Sequence, residues 1–182
     1  MKSSNMNART AVSGSTEFPW KWSLSELEKR PKHGHTVFSC FSCGGGSSMG
    51  YKLAGYDVVG NCEIDPDMME VYKQNNHPKH SFLMDVRDFL KLPNGKIPEE
   101  LFHLDVLDGS PPCSVFSTAG AREEGWNTEK VFREGQAKQR LDDLFLYFIA
   151  IAKRLQPKVV IAENVKGIII GNAKGWVNQI VK

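Results

Sequence analysis

The chain has 182 residues, of which 41% are hydrophobic and 24% charged, so its length suits about one globular domain with a single core. Its net charge of +2 and its isoelectric point near 8.3 neither require nor exclude a nucleic-acid partner. Because it has four cysteines, no apolar leader and no apolar run of membrane length, we expect a cytoplasmic protein with reduced thiols and no membrane contact.

The N-terminal residues divide into two segments. Residues 1–16 are rich in Ser, Asn and Thr, and we predict a disordered tail. Residues 17–34 are predicted to dock on the domain through a short helix, because Ser23 and Glu26 have the spacing of a capping box. The residues expected to make the contact are Trp20, Trp22, Leu24 and Leu27. A solvated linker is the alternative, but it would leave two tryptophans in water.

From residue 35 onward, predicted strands alternate with predicted helices. The strands are TVFSCFS, YDVVGNCE, SFLMD, LDVLDG and KVVIAEN, and the first two helices are SSMGYKLAG and PDMMEVYKQNN. Several strands are continuous apolar runs, which is typical of a parallel sheet covered on both faces. We therefore predict an α/β fold with a doubly wound, mostly parallel, Rossmann-like sheet that binds ligands at the carboxyl ends of its strands.

The clearest helix is predicted over residues 136–155, and Pro157 follows its end. Its apolar face is formed by Leu141, Leu144, Phe145, Phe148, Ala152 and Leu155. A metal site is not predicted, because Cys40 and Cys43 lack a second cysteine pair that would complete four ligands.

Three consecutive glycines, Gly44, Gly45 and Gly46, separate the first strand from the first helix. They do not match the dinucleotide fingerprint, because Met49 stands where the third glycine is required. Glu63 follows the second strand and could bind a ribose, and Asp85 follows the third and could bind an adenine amino group. This pattern favours S-adenosylmethionine over NAD, with solvated loop carboxylates as the alternative.

Cys113 follows two prolines, Pro111 and Pro112, that restrict the backbone and fix the direction of its thiol. This arrangement is typical of a reactive cysteine, and Glu163 follows the fifth strand at the same predicted edge of the sheet. Cysteine-protease chemistry is disfavoured, because His103 precedes the fourth strand and lies at the opposite end.

The motifs FSCFSCGGGSSMG, CEIDPDMMEVY, MDV, GSPPCSVFS and IAENVKG occur in this order. Together they resemble the N-terminal motifs of DNA methyltransferases that act on carbon 5 of cytosine. The resemblance implies an S-adenosylmethionine-dependent methyltransferase fold for residues 35–182, with double-stranded DNA as the partner and restriction-modification as the setting.

The resemblance also assigns roles to individual residues. It makes Cys113 the nucleophile, Glu163 the group that holds the edge of the base, and Asn164 a residue that orders the loop. The implied cofactor-binding residues are Phe38, Phe41, Gly44, Gly45, Gly46, Glu63, Ile64, Asp85, Val86 and Pro111.

The target base would have to swing out of the duplex, and the segment from Ser114 to Arg140 could close over it. The residues expected to contact DNA are Ser114, Ser117, Arg122 and Arg140. Glutamates interleave with these cations, so a solvated loop is the alternative reading of the same segment.

The chain departs from the family at Ser39, where the family has Asp, at Cys43, where it has Gly, and at Ser114, where Gln is common. Target recognition and the C-terminal motifs of the family are not recognisable here, so a second polypeptide or domain is expected to supply them. Three alternatives remain: a fragment that binds the cofactor or a partner without turnover, an RNA cytosine methyltransferase and a nicotinamide oxidoreductase.

Overall fold

A five-stranded parallel sheet is the framework of the molecule. The computed structural model of the chain describes residues 21–112, 129–130, 139–140 and 143–165. Its strands are β1 Thr36–Cys40, β2 Asp57–Glu63, β3 His80–Leu83, β4 Val106–Gly109, β5 Glu129–Lys130, β6 Gln139–Arg140 and β7 Val159–Ala162. The sheet has the order β3-β2-β1-β4-β7 with every pair parallel, while β5 and β6 pair separately and antiparallel. The predicted α/β fold with five parallel strands is confirmed.

Helices connect the strands and cover both faces of this sheet. They are α1 Leu24–Glu28, α2 Gly46–Leu53, α3 Pro66–Asn76, α4 Val86–Lys91 and α5 Leu144–Leu155, with 3-10 helices at Asn94–Lys96 and Glu99–His103. The helix α3 begins as its sequence indicates, because Pro66 occupies its first turn and the Asp65 side chain accepts the N–H groups of Asp67 and Met68.

The two faces of the sheet differ in their packing. Phe38 and Cys40 of β1 point into the larger core, where they pack with Phe89 of α4 and Phe148 of α5. The opposite face, beneath α2, has a smaller apolar cluster around Val37. Alternate residues of one strand therefore contribute to two cores, as expected for a sheet buried on both faces.

The predicted N-terminal helix is present as α1. The Ser23 side chain accepts the Glu26 N–H, and the Glu26 carboxylate accepts the Ser23 N–H, which completes the capping box. Leu27 is buried where α1 packs on α2, and Trp22 is half-buried, whereas Leu24 is exposed. The tail at 1–16 and Trp20 lie outside the described residues.

The helix predicted over residues 136–155 is wrong at its start, because α5 begins only at Leu144. Gln139 and Arg140 pair with Lys130 and Glu129 in an antiparallel ladder, so tertiary pairing overrides the helix propensity of this stretch. Of the predicted apolar face, Leu144, Phe145, Phe148 and Leu155 are buried and Ala152 is half-buried, while Leu141 lies outside the described residues. None of the helices in the described part of the chain has the length and apolar character needed to cross a bilayer.

Candidate functional site

The carboxyl ends of the five parallel strands lie along one edge of the sheet, which we call the carboxyl rim. The chain order reverses direction between β1 and β4, which are neighbours in the sheet but distant in sequence. Ligands of doubly wound sheets bind in the crevice at such a reversal. The predicted site residues in the described ranges follow the ends of these strands, apart from Phe38 within β1, Glu63 as the last residue of β2, and Arg140 in β6.

The glycine loop, residues 41–46, leaves β1 and enters α2 through left-handed backbone. Phe41, Cys43 and Gly45 have φ angles of 54°, 46° and 90°. Gly45 is required at the N-terminal cap of α2, because a Cβ there would lie 2.1 Å from Nδ2 of Asn76. That Asn76 amide is buried and has no hydrogen-bond partner in the described part of the chain.

Glu63 holds the glycine loop against the end of β2. Its Oε2 accepts the Cys43 N–H at 2.7 Å, and its Oε1 accepts the N–H groups of Ile64 and Asp65 at 2.9 Å each. The side chain is buried, so these charge-assisted bonds fix the strained conformation of Cys43. Ile64 is 39% exposed beside it and offers an apolar surface on the rim.

Asp85, the predicted adenine-binding residue, caps α4 and is also paired with Arg87. Its Oδ1 accepts the Arg87 N–H at 2.7 Å, and its Oδ2 accepts from the guanidinium at 2.9 Å. Arg87 also donates to Asp143 at 2.6 Å and lies over the Tyr147 ring. A ligand at Asp85 would therefore share the carboxylate with Arg87.

The predicted apolar contacts of the cofactor lie at different depths. Phe38 is fully buried and stacks on Phe89 with ring centroids 5.5 Å apart, so its ring supports the site from the core. Val86 and Pro111 are buried, and Phe41 is half-buried. Exposed apolar surface at this end of β2 comes from Ile64.

The ends of β4 and β7 bring together the two segments predicted to carry the chemistry. The Glu163 N–H donates to the Gly109 carbonyl at 3.0 Å, and the Asn164 side chain donates to the Pro111 carbonyl at 3.0 Å. Glu163 is exposed beside the segment that leads through Pro112 to Cys113. Cys113, Ser114, Ser117 and Arg122 lie outside the described residues, and Arg140 lies in β6.

The described thiols differ in their exposure to solvent. Cys40 and Cys62 are buried, and burial raises the pKa of both thiols well above the ordinary value. Cys43 is exposed on the glycine loop. No cluster of three or more potential metal-ligating side chains occurs among the residues that the structure describes.

A buried carboxylate that the motifs did not indicate lies beneath α2. Asp108 accepts hydrogen bonds from the hydroxyls of Ser39, Ser47 and Tyr51 at 2.9–3.0 Å. Burial, together with the charge of Asp108, raises the pKa of Tyr51 above its ordinary value. The one sequence signal that could have led to Asp108 is Ser39, which stands where the family resemblance places an aspartate.

These features define a doubly wound α/β protein with a candidate ligand site at the carboxyl rim. A DNA modification methyltransferase encoded in a prophage of E. coli has a similar structure, with a TM-score of 0.58 and 25% identity over 81% of this chain and 36% of that protein. DNMT2 of Spodoptera frugiperda shares the fold, with a TM-score of 0.53 and 22% identity over 81% of this chain and 40% of its own.

Sequence comparison is more specific than the fold. The family model described as C-5 cytosine-specific DNA methylase matches residues 35–182. The Type II methyltransferase M.FnuDI of Fusobacterium nucleatum is 32% identical over 80% of this chain, and M.NgoPII of Neisseria gonorrhoeae is 31% identical over 80%. The chain therefore belongs to the C-5 cytosine-specific DNA methylase family. It spans 37% of the length of M.FnuDI and 38% of that of M.NgoPII.

Proposed function

We propose that this chain provides the cofactor-binding and nucleophile-bearing part of a DNA cytosine methyltransferase that modifies carbon 5. The observation that carries the proposal is the junction at β4 and β7, where Gly109 bonds to Glu163 and Pro111 to Asn164. These bonds hold the backbone that precedes Cys113 beside the glutamate predicted to bind the base. Family membership and the glycine loop at the same rim support the assignment.

The groups at the rim fit S-adenosylmethionine by their chemistry. Glu63 accepts one N–H at Oε2, so this oxygen keeps acceptor capacity for a ribose hydroxyl. Ile64 offers apolar surface for an adenine ring, and Asp85 retains capacity for its amino group beside Arg87. When bound, the cofactor would supply an electrophilic methyl group. We assign its contacts to the glycine loop, Glu63, Ile64 and Asp85, with Phe38, Phe41, Val86 and Pro111 as apolar support.

Cys113 would act on the base as a nucleophile. Carbon 5 of cytosine is weakly nucleophilic, and addition of the Cys113 thiolate to carbon 6 converts the ring into an enamine that is reactive at carbon 5. Glu163 would hold N3 and the amino group of the base and favour protonation at N3. Carbon 5 would then take the methyl group, with the sulfur of the cofactor as the leaving group, and loss of the carbon 5 proton to a base followed by elimination of the Cys113 thiolate would restore the aromatic ring. Asn164 positions the segment before Cys113 through its bond to Pro111.

The reacting carbons are stacked inside a duplex, so the base must leave the helix at a cost of a few kcal/mol. We assign contacts with the DNA backbone to Ser114, Ser117, Arg122 and Arg140. Because the chain matches little more than a third of M.FnuDI, we propose that a further domain or a second polypeptide reads the target sequence.

The test is methyl transfer to cytosine-containing duplex DNA, measured by mass spectrometry, with the C-terminal part of M.FnuDI supplied as a separate polypeptide. We expect 5-methylcytosine with the wild-type chain and none with Cys113→Ser, while calorimetry gives the same affinity of both chains for S-adenosylmethionine. Methylation by the Cys113→Ser chain would disprove the role of the thiol.

A second candidate, a subunit that binds the cofactor without turnover, is favoured by the departures from the family at Cys43, whose φ angle is 46°, and at Ser114, which follows the nucleophile. It predicts cofactor binding with no methyl transfer in this assay. A wild-type chain that binds no S-adenosylmethionine would contradict both candidates.

A further inference from the structure

Asp108 is a buried acidic residue whose partners in the described part of the chain are hydroxyl groups. The side chain is 5% exposed at the end of β4, on the face covered by α2. Its Oδ2 accepts from Ser39 at 3.0 Å and from Ser47 at 2.9 Å, and its Oδ1 accepts from Tyr51 at 3.0 Å. A carboxylate desolvated to this extent requires such bonds, because an unsatisfied buried charge is strongly destabilising.

The positions of these donors connect Asp108 to the glycine loop. Ser39 precedes the loop in β1, and Ser47 follows it in the first turn of α2. Both hydroxyls bind the same oxygen of Asp108, so one atom holds the two ends of the loop together. The loop between them contains Phe41, Cys43 and Gly45, whose backbones are in the left-handed conformation. Such a conformation is costly and persists only where the surrounding structure holds it, so the loop keeps its shape only while both of its ends are held in place.

Asp108 also borders the segment that leads to Cys113. The next residue, Gly109, accepts the Glu163 N–H through its carbonyl. Ser39 and Asp108 are register partners on β1 and β4, the pair of strands at which the sheet order reverses. The carboxylate therefore lies where the glycine loop and the Pro111–Pro112 segment leave adjacent strands.

We propose that Asp108 is a positioning residue that clamps both ends of the glycine loop for the adenosyl cofactor and ties the loop to the nucleophile-bearing segment. This inference rests on the function proposed above. The family resemblance places an aspartate at the position of Ser39, at the end of β1. In this chain the acidic group comes from β4, where Asp108 is the register partner of Ser39. The N-terminal end of α2 adds a favourable electrostatic environment for the buried charge.

The first measurement compares Asp108→Asn with the wild-type chain by calorimetric titration with S-adenosylmethionine. Asparagine keeps the shape but replaces one acceptor oxygen by a donor, so we expect affinity to fall roughly tenfold or more. Asp105→Asn is the matched control, because Asp105 precedes the same strand at the opposite edge of the sheet and binds Thr36. The affinity of the Asp105→Asn chain for S-adenosylmethionine should stay within about twofold of the wild-type value. Equal affinities of wild type and Asp108→Asn would overturn the proposal.

Single hydroxyl deletions separate loop positioning from general stability and are milder than a change at Asp108. Ser39→Ala and Ser47→Ala should each weaken cofactor affinity by roughly threefold to tenfold. Tyr51→Phe removes a bond of the same type from Oδ1, away from the loop ends, and should lower the melting temperature with little change in affinity. Equal losses of affinity in all three variants would mean that Asp108 acts only through stability.

A charge exchange tests whether the carboxylate can act from either strand. Ser39→Asp alone places two carboxylates side by side and should weaken binding, as should Asp108→Ser alone. The double variant should bind the cofactor more tightly than either single variant, and additive losses would contradict the clamp.

Hydrogen exchange of the ligand-free chain provides a readout that does not need the cofactor. Asp108→Asn should accelerate amide exchange in residues 41–47 more than in α5, and uniform acceleration would contradict the inference. If the wild-type chain binds no S-adenosylmethionine, the proposed function fails, while this exchange experiment still decides the role of Asp108.

Discussion

A hydrogen bond between Glu63 and Cys43 connects the end of β2 to the glycine loop. The Glu63 carboxylate accepts three backbone N–H groups, one of them from Cys43, whose φ angle of 46° is unfavourable for a residue with a side chain. The carboxylate therefore stabilises a strained loop residue and keeps acceptor capacity at the rim.

Glu63→Gln should lower the free energy of unfolding by about 2 kcal/mol, because the amide can satisfy only part of this set of donors. Urea denaturation measures the change. Glu70→Gln is the control, since Glu70 is exposed on α3 and bonds only locally to Gln74, and it should change stability by less than about 0.5 kcal/mol. Equal effects of the two substitutions would contradict the role of Glu63.

Gly45 and Gly46 provide a matched pair for testing the turn into α2. A Cβ at Gly45 would meet Asn76 and the Tyr72 ring, whereas a Cβ at Gly46 would meet no atom within 4 Å. Gly45→Ala should therefore destabilise the chain by about 1–3 kcal/mol, and Gly46→Ala should be neutral or stabilise it by up to about 1 kcal/mol. Thermal unfolding measures both. A Gly45→Ala chain as stable as the wild type would show that the left-handed turn is not required.

At the scale of elements, Arg87 connects the start of α4 to the start of α5. Its guanidinium bridges Asp85 and Asp143 and lies over the Tyr147 ring. Burial disfavours its charge, but the two carboxylates outweigh that effect and raise the pKa of Arg87. Asp143 is the N-cap residue that precedes α5, so this bridge helps to set the start of the helix.

Arg87→Gln should destabilise the chain by about 1–3 kcal/mol and speed amide exchange at the start of α5, because two half-buried carboxylates lose their shared partner. Lys91→Gln is the control, since its pair with Asp88 is exposed to solvent and should contribute little to stability. Unchanged exchange at residues 144–147 in the Arg87→Gln chain would contradict a role for the bridge in α5.

Apolar runs and single residues such as proline predicted most of the helices and strands, but not all of their first and last residues. Apolar runs located the five strands of the parallel sheet, and Pro66 located the start of α3. The start of α5 was predicted too early, because the pairing of β5 with β6 and the bond from Arg87 to Asp143 are long-range interactions. The helix α4 was missed, since its six residues are too few to show a period.

For the candidate site, the sequence predicted the positions of several residues but not their contacts with residues of other elements. The motif spacing placed Glu63, Glu163 and Asn164 at strand ends, and the structure has them there. The sequence could not indicate that Asp85 is shared with Arg87 or that Asp108 receives three hydroxyls, because both arrangements join residues from different elements.

In the molecule as a whole, Asp105 connects β1 with the residues before β7 at the edge of the sheet opposite the carboxyl rim. Bonds from Lys158, the Thr36 N–H and His35 hold the pKa of Asp105 below its ordinary value. A carboxyl whose pKa is lowered by folding stabilises the fold above its unfolded pKa of about 4, and this contribution is lost as the pH falls.

Asp105→Asn should therefore have a lower melting temperature than the wild type at pH 7, with a difference that narrows as the pH falls below about 4. Melting curves of both chains from pH 7 to pH 2.5 test this expectation. A difference that stays constant over this range would show that the charge of Asp105 does not stabilise the fold.

We propose that the thiol of Cys113 attacks a cytosine held at the carboxyl rim. The test is to map, by mass spectrometry, the adduct that the chain forms with 5-fluorocytosine duplex DNA. The reaction contains S-adenosylmethionine and the C-terminal part of M.FnuDI. We expect the modified peptide to contain Cys113 and the adduct to be absent from Glu163→Ala. An adduct on the exposed thiol of Cys43, or none on Cys113, would contradict the claim.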